Sequence, residues 1–208
     1  MTNHMHVQKK IIVFGARGRV GRAVVAEARA RGHRVTEVGR AEGDVTSAAD
    51  VARLAAGHDA AVVSVYDPQA APGDFFPAVA EALAAGLPRA GVGRLVGVGL
   101  ASVLATASGA ALMDTPGYPQ EWRAFYVAHG AGTQALRAAA PEALDWAVLS
   151  PAGDFAADTD ASTTTPGAYA FVPAGAAVRI THADFARAVV DEATAPTLRA
   201  VHAGVGPA

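Results

Sequence analysis

Cysteine is absent from this 208-residue chain, and lysine occurs only twice, as Lys9 and Lys10. Without cysteine there are no disulfides, no thiolate nucleophiles and no cysteine-bearing metal sites. The seven histidines are scattered, and none forms an HxxxH or HExxH pair, so a histidine-based metal site has no sequence support either. Charge of one sign is also lacking: the net charge is -2, with no broad basic field for nucleic acid or an anionic membrane. No apolar run approaches the roughly 20 residues of a membrane span. The first ten residues are polar, with His4, His6, Lys9 and Lys10, and lack the apolar core of a secretory signal. These absences are compatible with a reducing cytosol, and the expectation is a cytoplasmic protein with no nucleic-acid or membrane partner and a small molecule as its partner.

What is present is a folded composition, 51% hydrophobic and 17% charged. Its length suits one substantial core rather than two. Ile11 to Phe14 is an apolar run ending at a glycine, as a buried parallel strand reads. Strands follow at Arg34–Val38, Ala60–Val65, Arg94–Val98 and Asp145–Leu149. Between them, helical spacing covers Gly21–Arg31, Ala48–Ala56, Phe75–Ala85 (closed by Gly86) and Gln120–Ala139. Thr181–Glu192 forms a last helix with Thr181 and Asp184 at its start. Gly99–Gly109 and Asp158–Gly167 read as loops. This alternation predicts an α/β fold: one Rossmann-type, doubly wound parallel sheet with helices on both faces. Residues 1–9 are expected to be a disordered tail and residues 10–208 a single domain.

The strongest motif is Gly15-Ala-Arg-Gly-Arg-Val-Gly21, a GxxGxxG loop directly after the first strand and before the first helix. Gly15 permits the tight turn, Gly18 lets the backbone approach a pyrophosphate, and Gly21 lets the helix pack closely on the sheet. The diphosphate then sits on the free N–H groups of Arg17 to Gly21, Arg19 and Val20 included, at the positive helix end. A strand before and a helix after is the context in which this pattern means a dinucleotide site rather than a structural turn.

Cofactor choice rests on the end of the second strand. An NAD site usually carries Asp or Glu there for the ribose 2′-hydroxyl, whereas this chain has Gly39-Arg40. The charged fork of Arg40 suits a 2′-phosphate, and Arg17 can reach the same group from the glycine loop. Two solvated surface arginines are the plain alternative. Glu37, two residues before the strand end, should point elsewhere. Asp44 and Val45 are placed to flank the adenine, and Ser64 and Val65, at the end of the third strand, the adenosine side.

A Ser-His-Asp hydrolase assembled from Ser102, His129 and Asp114 has no GxSxG elbow to present its serine. Ordinary short-chain dehydrogenases use a tyrosine with a lysine four residues later. Here Tyr118, Tyr126 and Tyr169 are followed at that spacing by Trp122, Gly130 and Pro173, so the pair is absent.

The opening from Lys10 to Gly21 resembles the start of the atypical short-chain dehydrogenases of the NADH-flavin reductase-like group. So do Arg94-Leu-Val-Gly-Val-Gly-Leu-Ala-Ser-Val103, Leu112-Met-Asp-Thr-Pro-Gly-Tyr-Pro119, Leu144-Asp-Trp-Ala-Val-Leu-Ser-Pro-Ala152 and Ile180-Thr-His-Ala-Asp-Phe-Ala186. The resemblance spans nearly the whole chain. It implies an NAD(P)-binding oxidoreductase related to biliverdin and flavin reductases and to NADPH-sensing regulators, a group that also lacks the Tyr–Lys pair. Three positions depart from the group: Arg17 replaces the usual threonine, Leu100 makes the turn after the fourth strand bulkier, and Tyr66-Asp67-Pro68 replaces smaller residues.

The expected activity is hydride transfer from NADPH to a planar conjugated acceptor such as a flavin or quinone. That transfer needs alignment above all, and the acceptor takes the charge itself. Ser102 is a candidate to hydrogen-bond the acceptor or the nicotinamide amide, or to cap a turn. Tyr118 and Trp122 should roof the pocket, and His129 is the candidate proton donor. Gly99, Pro151 and Gly153 should contact the nicotinamide side. Two other readings share the scaffold: a reductase or isomerase of carbonyl or polycyclic metabolites, with His129 or Tyr126 as the essential donor, and a non-catalytic NADPH sensor. Either a monomer or a homodimer is compatible.

Overall fold

Continuous apolar runs become the inner strands of one sheet, because only a strand covered on both faces can bury every side chain. The structure, a computed structural model, describes residues 7–156, 169–175 and 179–208. The expected loop at Asp158–Gly167 and the first six residues of the expected tail lie outside the described residues.

In chain order the elements are β1 (Lys10–Phe14), α1 (Arg19–Ala30), β2 (Arg34–Val38), α2 (Ala48–Ala55), β3 (Ala60–Val63), α3 (Pro72–Arg89) and β4 (Arg94–Val98). They continue with α4 (Arg123–Ala139), β5 (Asp145–Pro151), β6 (Asp154–Ala156), β7 (Tyr169–Phe171), β8 (Arg179–Thr181), α5 (His182–Thr194) and β9 (Val201–Pro207). The main sheet has the order β2-β1-β3-β4-β5-β9-β7. All its pairings are parallel except that of β7 with β9. β6 and β8 form a small second sheet. The doubly wound α/β architecture read from the sequence is therefore the architecture found.

Two apolar layers sandwich the main sheet. On one face, Val24, Val25 and Ala28 of α1 join Phe185, Val189 and Val190 of α5 over Ile11, Val13 and Val62. On the other, Val51 of α2, Leu83 and Leu87 of α3 and Leu136 of α4 pack over Ile12, Phe14, Ala61 and Leu95. The chain leaves β1 for β2 on one side and returns to β3 on the other, so connections diverge between β1 and β3. That divergence opens a crevice at the carboxyl ends of the strands.

Several boundaries differ from the sequence reading. The third strand stops at Val63, two residues short, and the fifth runs on to Pro151. The third helix extends to Arg89, so Gly86 lies inside it and does not close it. A Cβ at Gly86 would lie 2.7 Å from the Ala48 carbonyl and from Val51, so glycine there lets α2 and α3 approach closely. The fourth helix starts at Arg123 rather than Gln120. Strand β9 was not anticipated: its Val201-His-Ala-Gly-Val-Gly-Pro sequence is glycine-rich, yet it pairs with β5 inside the sheet. No helix among the described residues is long and apolar enough to cross a membrane.

Candidate functional site

The glycine loop turns β1 into α1 at the mouth of the crevice. Gly15 has a φ of +81°, and a side chain there would collide with the Ser64 carbonyl. A side chain at Gly21 would collide with the Gly15 carbonyl. Both positions are therefore glycine for reasons of fold. Gly18 is different. Its φ is -70°, and the nearest atom to a built Cβ is the Gly15 oxygen, 3.3 Å away. Folding does not demand glycine at that position, and the space a side chain would fill belongs to the cleft.

Gly18 is the N-cap of α1, where no side chain caps the helix and no acidic residue stands in the first turn. The opening N–H groups of a helix lack intrahelical acceptors, so this end suits an anion. A diphosphate fits this cradle on geometry and charge alike.

The cleft above it measures about 1000 Å³. Of the residues expected to bind a cofactor, Gly15, Arg17, Gly18, Arg19 and Val20 line it together with Arg40, Ser64, Val65 and Gly99. A contiguous pocket of about 350 Å³ opens between β2 and the segment after β3, lined by Asp44, Val45, Arg40, Tyr66 and Asp67. Its place and size suit the adenosine half of a dinucleotide. Glu37 pairs with Arg29 of α1 at 2.7 Å, so it does point away.

Arg17 and Arg40 converge on this end, each already paired. Arg17 meets Glu42 at 2.5 Å, and Glu42 also accepts the Gly39 N–H at 2.7 Å. These contacts hold the Glu42 carboxyl below its usual range, the Gly39 N–H first and the Arg17 guanidinium second. Arg40 meets Asp67 at 2.9 Å and donates to the Tyr66 carbonyl at 3.3 Å. Sequence reasoning missed Glu42, and it read Asp67 only as a departure from the group's small residues. Each lies near its arginine only through the fold.

From Tyr66, which lines the adenosine pocket, an aromatic wall runs across the cleft: Tyr66 and Phe125 meet edge-to-face at 5.5 Å, and Phe125 and His129 at 5.9 Å. These three side chains line the cleft with Leu100, Phe155 and His182. Phe155 and His182, in edge contact at 4.4 Å, form a wall that the sequence reading did not assign. The only available signal was the Ile180–Ala186 segment, which starts α5.

Burial pushes the His129 imidazole down to about 4. At neutral pH it is uncharged, and it can donate only its single ring N–H. Ser102 is buried, and its hydroxyl shares a 2.8 Å hydrogen bond with that of Tyr118. Tyr118 in turn meets the Tyr126 ring at 5.6 Å. Ser102 and Tyr118 are thus brought together, beside the residues lining the cleft rather than among them. Trp122 is 64% exposed at the start of α4. Pro151 ends β5 and is buried, Gly153 is half-buried, and neither lines the cleft as formed. Gly99 does line it; a side chain there would collide with Ser150, whose hydroxyl lies 2.7 Å from His202.

Residues 37–196 match a family model described as NAD(P)H-binding. The matched span begins at the end of β2, so the glycine loop is supported by its geometry and not by that match. No curated protein matches the chain. A solved structure of a candidate exported protein from Burkholderia pseudomallei is 31% identical, with a TM-score of 0.81 over 96% of this chain and 100% of the other. A candidate epimerase from Bacteroides thetaiotaomicron is 27% identical, with a TM-score of 0.80 over 97% and 98%. A candidate NADH-flavin reductase from Streptococcus pneumoniae is 26% identical, with a TM-score of 0.74 over 96% and 100%.

Proposed function

The chain belongs to the NAD(P)H-binding family, and on that premise we propose that it is an NADP-dependent oxidoreductase delivering hydride to a planar conjugated acceptor, a flavin or quinone. One observation carries this reading. A single cleft joins a diphosphate cradle flanked by Arg17 and Arg40 to a wall built from Tyr66, Phe125 and His129. The first end suits a phosphorylated dinucleotide, and the second suits a flat aromatic ligand. The candidate NADH-flavin reductase from Streptococcus pneumoniae supports the same acceptor class.

Bound in the cradle, NADPH supplies the hydride. The main-chain amides from Arg19 to Gly21 take the diphosphate, and Arg40 and Arg17 take the 2′-phosphate. Val65, Val98 and Leu100 line the middle of the cleft and keep water from the reacting faces. Phe125 holds the acceptor plane, with Tyr66 between it and the adenosine pocket. The neutral His129 orients the acceptor through one N–H and leaves proton supply to water. Hydride transfer between stacked rings requires proximity and alignment more than a dedicated acid, which agrees with a chain whose two lysines, Lys9 and Lys10, lie at the amino-terminal end of β1.

The test is NADPH consumption, followed by its absorbance, against a panel of flavins, quinones and enones. Turnover with flavins or quinones and none with isolated enones is the expected result. Turnover restricted to enones, or tight NADPH binding with no turnover on any acceptor, would contradict it.

A further inference from the structure

The two arginines at the adenosine end are not free cations awaiting a phosphate. Glu42 holds Arg17 and Asp67 holds Arg40, one carboxylate for each guanidinium. The pairs sit where cofactor choice is made. A Cβ at Gly39, the residue after β2, would lie 2.7 Å from the Arg17 guanidinium and 3.2 Å from the Glu42 carboxylate. The Arg17–Glu42 pair therefore fills the space that a side chain at the strand end would take. Arg40 bridges the adenosine pocket from the β2 end to Asp67 and Tyr66 on the far wall.

We propose that Glu42 and Asp67 are specificity-determining residues: resident counter-anions that the cofactor's 2′-phosphate must displace from Arg17 and Arg40, and that thereby set how strongly NADPH is preferred over NADH. The inference rests on the NADP reading above.

Three physical points support it. The arginines are 63% and 68% exposed at their side chains, and exposed pairs of this kind are weak, so a dianionic phosphate can take over the guanidinium. NADH shares the diphosphate but lacks the 2′-phosphate, so exchange of these carboxylates for a 2′-phosphate bears on NADPH and not on NADH. Glu42 is also unsuited to the ribose role of an acidic strand-end residue. One of its oxygens is taken by Arg17 and the other by the Gly39 N–H.

The experiment measures binding rather than turnover: dissociation constants of NADPH and NADH for the wild type, Glu42→Gln, Asp67→Asn and Arg40→Ala, at one ionic strength. Both residues are partly exposed and each replacement is isosteric, so the variants should fold, which their thermal midpoints check. Glu42→Gln and Asp67→Asn should each tighten NADPH by about two- to fivefold and leave NADH unchanged. Weaker NADH binding in Glu42→Gln would identify Glu42 as a ribose acceptor and overturn the proposal. So would NADPH affinities that do not move in either variant. Failure of the underlying NADP reading looks different: the wild type would bind both nucleotides alike, and Arg40→Ala would weaken both equally.

Discussion

Within the glycine loop, neighbouring positions of the same residue type do separate jobs, and substitution should separate them. Gly15→Ala forces a side chain into a left-handed conformation against the Ser64 carbonyl. It should destabilise the fold by roughly 1–3 kcal/mol, read as a lowered thermal midpoint. Gly18→Asp brings a Cβ to 3.3 Å from the Gly15 oxygen and 3.9 Å from that of Ser64, a close fit without a collision, so its midpoint should fall less than that of Gly15→Ala. Its carboxylate would stand where the diphosphate belongs, and NADPH binding should be lost. Unchanged NADPH affinity in Gly18→Asp would refute the cradle. The histidines yield a pH prediction. His129 and His202 are each pushed by burial to about 4 from an ordinary 6.5. Between those values the unfolded chain binds protons that the folded chain refuses, so stability rises with pH across that window. Acidifying from about 6.5 towards about 4 should cost roughly 2–3 kcal/mol per histidine, and His202→Gln should flatten the dependence in urea unfolding. Residue identity alone exposed the glycines and Arg40, because backbone freedom and fixed charge are properties of a residue type. It did not expose the burial of His129, which is set by Phe76 at 4.3 Å and Phe125 at 5.9 Å.

Elements were legible where their signal was local. β2 and β4 lie at their expected residues, Arg34–Val38 and Arg94–Val98, since a short valine-bearing segment set between glycines needs no distant information. The start of α5 was legible for the same reason: Thr181 accepts the Asp184 N–H at 3.0 Å, as a cap should. β9 was not, because a segment with two glycines acquires strand form only from its neighbours. A side chain at Gly204 would collide with the Val172 carbonyl of the chain beside it. What brings β9 into place is a buried ionic knot. Arg94, at the start of β4, donates to Glu192 at 2.8 Å and to the Leu198 carbonyl at 3.0 Å. Glu192, 1% exposed, also accepts the N–H groups of Thr197 and Leu198, which lead into β9. Glu192→Ala would leave Arg94 without its most buried counter-ion and should cost roughly 3–5 kcal/mol. For a chain of this length that is a fall of roughly 10 °C in the thermal midpoint. A change below about 1 kcal/mol would mean that the knot does not anchor the C-terminal strand.

Over the whole molecule, the strand–helix alternation was enough to give the doubly wound sheet, and with it the end of the sheet where a ligand binds. The antiparallel edge strand β7 and the small β6–β8 sheet were not readable, being three residues each and defined by pairing rather than pattern. The same limit applied to the site. Arg17 and Arg40 were evident in the sequence, but Glu42 and Asp67 became their partners only when β2 and β3 were brought to opposite walls of one pocket. The central claim is that this cleft takes a phosphorylated dinucleotide on bare amides and arginines. Calorimetric titration of the wild type and of Arg40→Ala with NADPH and with NADH tests it most directly. The account predicts tighter binding of NADPH by the wild type, and a loss of about tenfold to a hundredfold in Arg40→Ala that NADH does not share. No heat from either nucleotide, or equal losses for both, would contradict it.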